Sequence, residues 1–255
     1  MRDNPVKTRL GRGEAQFGTM MLELFAPGVP AILAAAGADF VIYDMEHSGV
    51  TDDEIKRQIA YCRGLDLVPI VRPPAKQYNH AARLLDLGAM GFVFQMVESA
   101  EEAAEIVSWT RYPPSGVRGA MFGGAHDDYA PGDVAEKMKI ADERTLVAVL
   151  IETVQGLDNV EEIMAVPGVD VGHVGHFDLS LTMGIPAQFD HPDFKAAIAK
   201  IVAACQANDK PAGCLVPDIA WGKDWMAQGF RMISYSYDIG LMADSLRAGI
   251  DGLKG

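Results

Sequence analysis

The chain is poor in cysteine: its three, Cys62, Cys205 and Cys214, lie far apart with no metal-ligand spacing. An odd, scattered set fits buried thiols in a reducing compartment, so a cytoplasmic protein is expected. Long apolar runs are missing too, none reaching the ~18 residues of a membrane helix. The stretch from Phe17 to Phe25 is interrupted by Glu23 and followed by Pro27, which spoils it as a secretion-signal core. Positive charge is outnumbered, with 22 Lys and Arg against 35 Asp and Glu, a net charge of −13 and no block of like sign. Neither nucleic acid nor an anionic membrane surface is therefore expected as a partner. Also absent is a glycine-rich fingerprint after the first strand, which argues against dinucleotide and P-loop sites.

What is present is an alternation. Apolar strands are read at Ala15–Leu22, Phe40–Tyr43, Leu67–Val71, Gly91–Phe94, Val147–Ile151, Val169–Val174, Ala212–Val216 and Phe230–Ser234. Helical patterns separate them. Two open on capping boxes, Thr51 with Glu54 and Ser99 with Glu102; others cover Gln155–Ala165 and, last, Ile239–Ala248. Short, continuous apolar strands alternating with helices predict an α/β fold, a (β/α)8 TIM barrel, as one domain over residues 1–255. A doubly wound open sheet is the structural alternative. One stretch breaks the rhythm: Thr110–Gly132 holds Pro113, Pro114, Pro131 and five glycines. A loop of that length is expected to be functional or disordered.

Active sites of such barrels gather at the C-terminal strand ends. Those ends carry Asp44, Glu46 and His47 (second strand), Arg72 (third), Gln95 (fourth), Glu152 (fifth), Asp178 (sixth) and Tyr235 (eighth). The fifth and sixth strands flank one helix, so they pair in parallel, ~5 Å apart, with their ends on the same edge. Glu152 and Asp178 are thus expected to point at one spot, where they repel unless a cation or a shared proton neutralises them. A hard divalent metal is the reading adopted: all-oxygen donors suit Mg²⁺ or Mn²⁺, with Co²⁺ a further candidate. The plainer roles are a helix N-terminal acid for Glu152 and an N-cap for Asp178.

Asp44, three residues before His47, is expected to orient and charge that histidine as a base, with Glu46 pointing the other way. Arg72 either pairs with a carboxylate or grips a planar acid with two prongs. His173 and His176 stand three apart on an extended segment, so they face opposite ways and make no metal pair. No lysine stands at a clear strand end, which argues against Schiff-base chemistry.

Several segments together carry a resemblance. They are Asn4-Pro5-Val6-Lys7 through Phe17-Gly18, Asp44-Met45-Glu46-His47, Val71-Arg72-Pro73-Pro74, Tyr112 to Gly119, Ile151-Glu152-Thr153 and Gly175 to Ser180. In this order, over nearly the whole chain, they resemble the HpcH/HpaI family of class II pyruvate aldolases. The resemblance implies a barrel assembled as a homohexamer, the last helix exchanged between paired subunits. It implies a metal-dependent carbon–carbon lyase that forms or cleaves 4-hydroxy-2-oxo acids, with pyruvate and an aldehyde as the small-molecule partners. Glu152 and Asp178 fall on the metal carboxylates, Arg72 on the arginine that steadies the enolate, and His47 with Asp44 on the base. The backbone of Gly175, His176 and Phe177 falls on the cradle for the pyruvate carboxylate.

Three departures stand out. Leu150 replaces a frequent glutamine, His176 replaces the proline of Gly-Pro-x-Asp, and Phe122–Tyr129 replaces a run that helps shape the aldehyde end. A Claisen-type lyase or synthase of the citrate- or malyl-CoA type is the alternative enzyme, although no basic patch suits a CoA tail. A metal-holding barrel without turnover is the alternative from another class.

Overall fold

The computed structural model describes all 255 residues. Eight parallel strands close on themselves in sequence order. They are β1 (Gln16–Met21), β2 (Phe40–Asp44), β3 (Val68–Arg72), β4 (Gly91–Phe94), β5 (Leu146–Ile151), β6 (Val171–Val174), β7 (Ala212–Val216) and β8 (Phe230–Tyr237). Helix α1 (Pro5–Leu10) precedes the barrel. The strands β1 to β4 are followed by α2 (Val29–Ala35), α3 (Asp52–Tyr61), α4 (Tyr78–Leu87) and α5 (Ala100–Trp109). Helix α6 (Val134–Arg144) leads into β5, and α7 (Val154–Asp158) and α8 (Val160–Ala165) leave it. After β6 come α9 (His176–Thr182) and α10 (Pro192–Ala207), after β7 α11 (Ile219–Gln228), and after β8 α12 (Asp238–Lys254). The closed barrel is the expected fold, and the open sheet is set aside.

The strand sequences follow from having two apolar surroundings. Phe40, Ile42, Val68, Ile70, Ala148, Leu150, Val171 and Met232 pack on one another inside the barrel. The residues between them, such as Val41, Tyr43, Val71, Val147, Val149 and Ile151, belong to the larger core shared with the helices. With both faces covered, an unbroken apolar run is favoured over an alternating one. At the opposite end from the strand C-termini, α1 closes the barrel. Its N-cap Asn4 sends Nδ2 to Met90 O at 3.0 Å and Arg144 O at 2.9 Å.

Local signals set most helix starts. Thr51 Oγ1 accepts the Glu54 N–H at 3.3 Å, and Ser99 Oγ accepts that of Glu102 at 3.2 Å. The helix expected over Gln155–Ala165 is two short ones. Asn159 breaks it by leaving the helical conformation (φ −95°, ψ 10°) and donating its Nδ2 to Glu98 O at 2.7 Å. Strand β8 runs on to Tyr237 rather than ending at Ser234, and α12 continues to Lys254. That helix leaves Leu246 and Leu253 exposed beside Ile32 of α2, forming an apolar groove.

The long loop contains one 3-10 turn, Ala125–Asp127. The turn packs at the N-terminal end of the barrel, where Arg144 donates to His126 O and Asp128 accepts the Arg2 N–H at 3.1 Å. Within one protomer, then, the His126–Tyr129 part of the loop lies at the far end from the barrel mouth. An aldehyde-shaping role for that part is not met within the single chain.

Candidate active site

The mouth is built on a buried ion pair. Asp44 ends β2 and Arg72 ends β3, and they are register partners. Arg72 Nε donates to Asp44 Oδ1 at 2.9 Å and Nη2 to Oδ2 at 2.6 Å, a two-pronged grip. Burial alone disfavours the guanidinium charge, but the bonds and charge of Asp44, with the charge of Glu46, push the Arg72 pKa above its ordinary value. Asp44 Oδ1 also accepts the backbone N–H groups of Glu46 (2.9 Å) and His47 (3.3 Å). That turn curls the chain back over the mouth, and the expected geometry is corrected in two respects. The Asp44 side chain pairs with Arg72 and touches only the backbone of His47. Glu46 points inward, its Oε2 3.2 Å from Arg72 Nη1 and 3.8 Å from His47 Nε2.

Glu152 occupies the next position round the rim. It is 3% exposed, and its Oε1 accepts the Met96 N–H at 2.7 Å. Met96 takes a left-handed backbone (φ 50°) in the turn after β4, and Lys76 Nζ donates to its carbonyl. The other Glu152 oxygen lies against Gly175. A Cβ on Gly175 would sit 2.3 Å from Oε2, so only glycine admits the carboxylate. Burial first, then the nearby charges of Asp178 and Glu46, push the Glu152 pKa up to about 8. Burial raises that of Glu46 also, partly opposed by Arg72. Asp178 is exposed in the first turn of α9, and its charge reaches both Glu152 and Glu46. Asp44, Glu46 and Glu152 thus face a single guanidinium, with the charge of Asp178 added beside the two glutamates.

That surplus of negative charge fits a divalent cation. Glu152 and Asp178 supply oxygen donors. No three or more His, Cys, Asp or Glu side chains come together as a group that could hold a metal ion by themselves. Magnesium is commonly held by one or two carboxylates, with water and substrate oxygens completing its shell.

The remaining expected residues divide. His47 is at the rim, its side chain 59% exposed. Gln95 turns inward, with Nε2 donating to Pro73 O at 3.0 Å and Oε1 buried without a donor. Tyr235 lies within β8 and makes no hydrogen bond to the cluster. His173 points into the barrel, its ring over Gly213, where a Cβ would lie 2.8 Å from Cδ2. The His176 ring is buried among Phe189 (5.3 Å) and Trp221 (5.2 Å), and burial holds its pKa down to about 4. His176 therefore offers the mouth its backbone, and the ring belongs to the outer aromatic layer. Phe177 stays exposed and packs edge-on against Phe189 at 5.2 Å.

Residues 19–245 match the family described as HpcH/HpaI aldolase/citrate lyase. The chain is 32% identical over 251 residues to a 5-keto-4-deoxy-D-glucarate aldolase of Shigella dysenteriae, covering 98% of this chain and 97% of that protein. It is 33% identical over 255 residues to a hydroxypyruvate/pyruvate aldolase of Paraburkholderia phytofirmans, covering 98% of each. Among solved structures, an HpcH/HpaI aldolase from Desulfitobacterium hafniense superposes with a TM-score of 0.92 at 30% identity, over 97% of this chain and 96% of that one.

Proposed function

The chain belongs to the HpcH/HpaI family of carbon–carbon lyases, and on that premise we propose that it is a divalent-metal-dependent aldolase. Its reaction is the reversible cleavage of a 4-hydroxy-2-oxo acid to pyruvate and an aldehyde. The observation that carries this reading is the group of three carboxylates, Asp44, Glu46 and Glu152, around the one buried Arg72, with Asp178 adding its charge beside the glutamates.

Glu152 and Asp178 are the residues that would hold the metal. When bound, a divalent ion supplies Lewis-acid withdrawal of charge from the 2-oxo group. Arg72, its plane locked by Asp44, places fixed positive charge beside the same oxygen and stabilises the negative charge that develops as C3–C4 breaks. The backbone N–H groups at the start of α9, from His176 to Asp178, would face the substrate carboxylate, whereas that of Gly175 donates to Ile151 O at 3.2 Å. His47 removes the proton of the C4 hydroxyl, directly or through a water, and returns it in the condensation direction. Glu46, beside both His47 and Arg72, orients the histidine in the role expected of Asp44.

An assembly of several copies completes the proposal. The exposed apolar groove between α2 and α12 supports it, because apolar patches of this kind mark protein contacts. Exchange of α12 between subunits is part of the same reading.

The test is incubation with a 4-hydroxy-2-oxo acid, with and without EDTA, following pyruvate with a coupled dehydrogenase. Metal-dependent pyruvate release supports the aldolase. The family description also covers citrate lyases, so a Claisen-type lyase is the second reading. Release of a free acyl-CoA with no pyruvate from a broad panel favours it. Bound metal with neither product favours a barrel without turnover.

A further inference from the structure

A second cavity of about 730 Å³ opens on the outside of the barrel between α10 and α11. Its floor is aromatic, formed by Phe189, Phe194, Trp221 and Trp225. Ring centroids lie 5.0 Å apart for Phe189 and Trp221, 5.6 Å for Trp221 and Trp225, and 5.5 Å for Phe189 and Phe194. The planes meet at 58°, 61° and 63°, so the rings pack edge against face; Phe194 and Trp225 lie buried beneath, and the half-buried Phe189 and Trp221 are the rings that reach the cavity surface.

The rim carries Asp190, Asp224 and Lys195. Lys195 Nζ lies 2.8 Å from Asp190 Oδ1, so those two charges are mutually engaged. Asp224 meets only a neutral amide, Gln228 Nε2 at 2.8 Å. One net negative charge therefore stands at the rim of a cavity whose half-buried rings are Phe189 and Trp221. That combination attracts an organic cation, whose charge interacts with the aromatic quadrupole and with the carboxylate together. An anion would meet repulsion from both, and a neutral apolar molecule would gain nothing from Asp224. The volume lies in the range usual for small-ligand sites.

We propose that this cavity is a binding site for an organic ammonium ion, seated on Trp221 and Phe189 with its charged head toward Asp224. The site shares no residue with the carboxylate cluster and does not depend on the aldolase reading. It backs onto the strand-end loop, since Phe189 also packs against His176 and Phe177.

The test uses the full-length protein labelled with 5-fluorotryptophan, whose three tryptophans give three ¹⁹F resonances, assigned with Trp109→Phe. Benzyltrimethylammonium, benzyl alcohol and phenylacetate are titrated separately at constant ionic strength. The cation should shift the Trp221 and Trp225 signals saturably, with Kd on the order of 1 mM, and leave Trp109 in place. Phenylacetate should shift none of them. Asp224→Asn, at an exposed position, should weaken the cation about threefold, and Lys195→Met should tighten it. An equal response to the three probes, a preference for phenylacetate, or indifference to Asp224→Asn overturns the assignment. So does silence of Trp221 and Trp225 with every probe.

Discussion

Arg72 is held by Asp44 through two of its three nitrogens, Nε at 2.9 Å and Nη2 at 2.6 Å, and this fixes the plane in which Nη1 faces the mouth. Lysine keeps the charge at such a site and loses the fork. Arg72→Lys should therefore fold and bind metal but lose about 10²–10³-fold in kcat. Asp44→Ala is a different kind of damage, because it strands a buried cation. It should cost about 3–5 kcal/mol of stability, read as a lower urea midpoint at unchanged m-value. A variant as stable as the parent would show that Glu46 alone can hold the guanidinium.

Glu152 makes the metal-free protein sensitive to base. Its pKa is pushed from 4.5 up to about 8, by burial first and then by Asp178 and Glu46. Between those values the folded protein keeps a proton that the unfolded chain has released. Stability of the metal-free form therefore falls as pH rises through that interval. EDTA-treated protein should melt several degrees lower at about pH 9 than at about pH 5. Glu152→Gln should flatten that slope, because an amide has no proton to lose there. Added Mn²⁺ should restore the melting temperature of the parent at high pH and do little for Glu152→Gln. A parent protein whose metal-free stability rises over the same interval would contradict a protonated Glu152.

The barrel was legible because each strand is buried on both faces, so its run of apolar residues survives in one dimension. The same reasoning put Glu152 directly after β5, which pairs with β6 through Ile151 and Val174, but Asp178 lies four residues beyond β6, in the first turn of α9. Glu46 escaped that reasoning, because face alternation holds only while the chain is extended. Beyond Asp44 the backbone turns, with two N–H groups folded onto one carboxylate. An Asp at a strand end followed by a short polar turn was the available signal, since Asp accepts from the backbone just ahead of it. His176 faces away from His173 as expected, but the surroundings of its ring were not legible, for a related reason. Its neighbours in space, Phe189 and Trp221, come from segments whose approach no local pattern announces. Met96 carried no signal, because a left-handed methionine follows from the need to aim its N–H at Glu152.

Gly175 offers a steric test that leaves backbone preference aside. Its φ of −94° is open to any residue, so Gly175→Ala acts through its methyl group, 2.3 Å from Glu152 Oε2 and 2.6 Å from its Cβ. The carboxylate must swing away or the loop must shift. Metal affinity should fall about 10–100-fold, as when a ligand loses its support, and the melting temperature of the metal-free form should fall too, because the new methyl also lies 2.6 Å from Glu152 Cβ, which no side-chain rotation moves. Titration calorimetry with Mn²⁺ is the measurement. Unchanged affinity would mean that Oε2 is not the oxygen that faces the cation.

His47 separates base catalysis from metal binding. Its side chain is 59% exposed, and its contact with the cluster is Glu46 at 3.8 Å rather than either proposed metal carboxylate. His47→Ala should lower kcat about 10²–10⁴-fold, with Mn²⁺ affinity and melting temperature unchanged. Pyruvate binding should persist, because Arg72 and the α9 backbone remain. Glu46→Gln should produce a smaller loss of the same kind and move the pH–rate profile on its acid side, since it changes the charge beside His47 and leaves the imidazole in place. If His47→Ala turns over normally while Glu46→Gln is inactive, the proton passes through the carboxylate, and the histidine is only a rim residue.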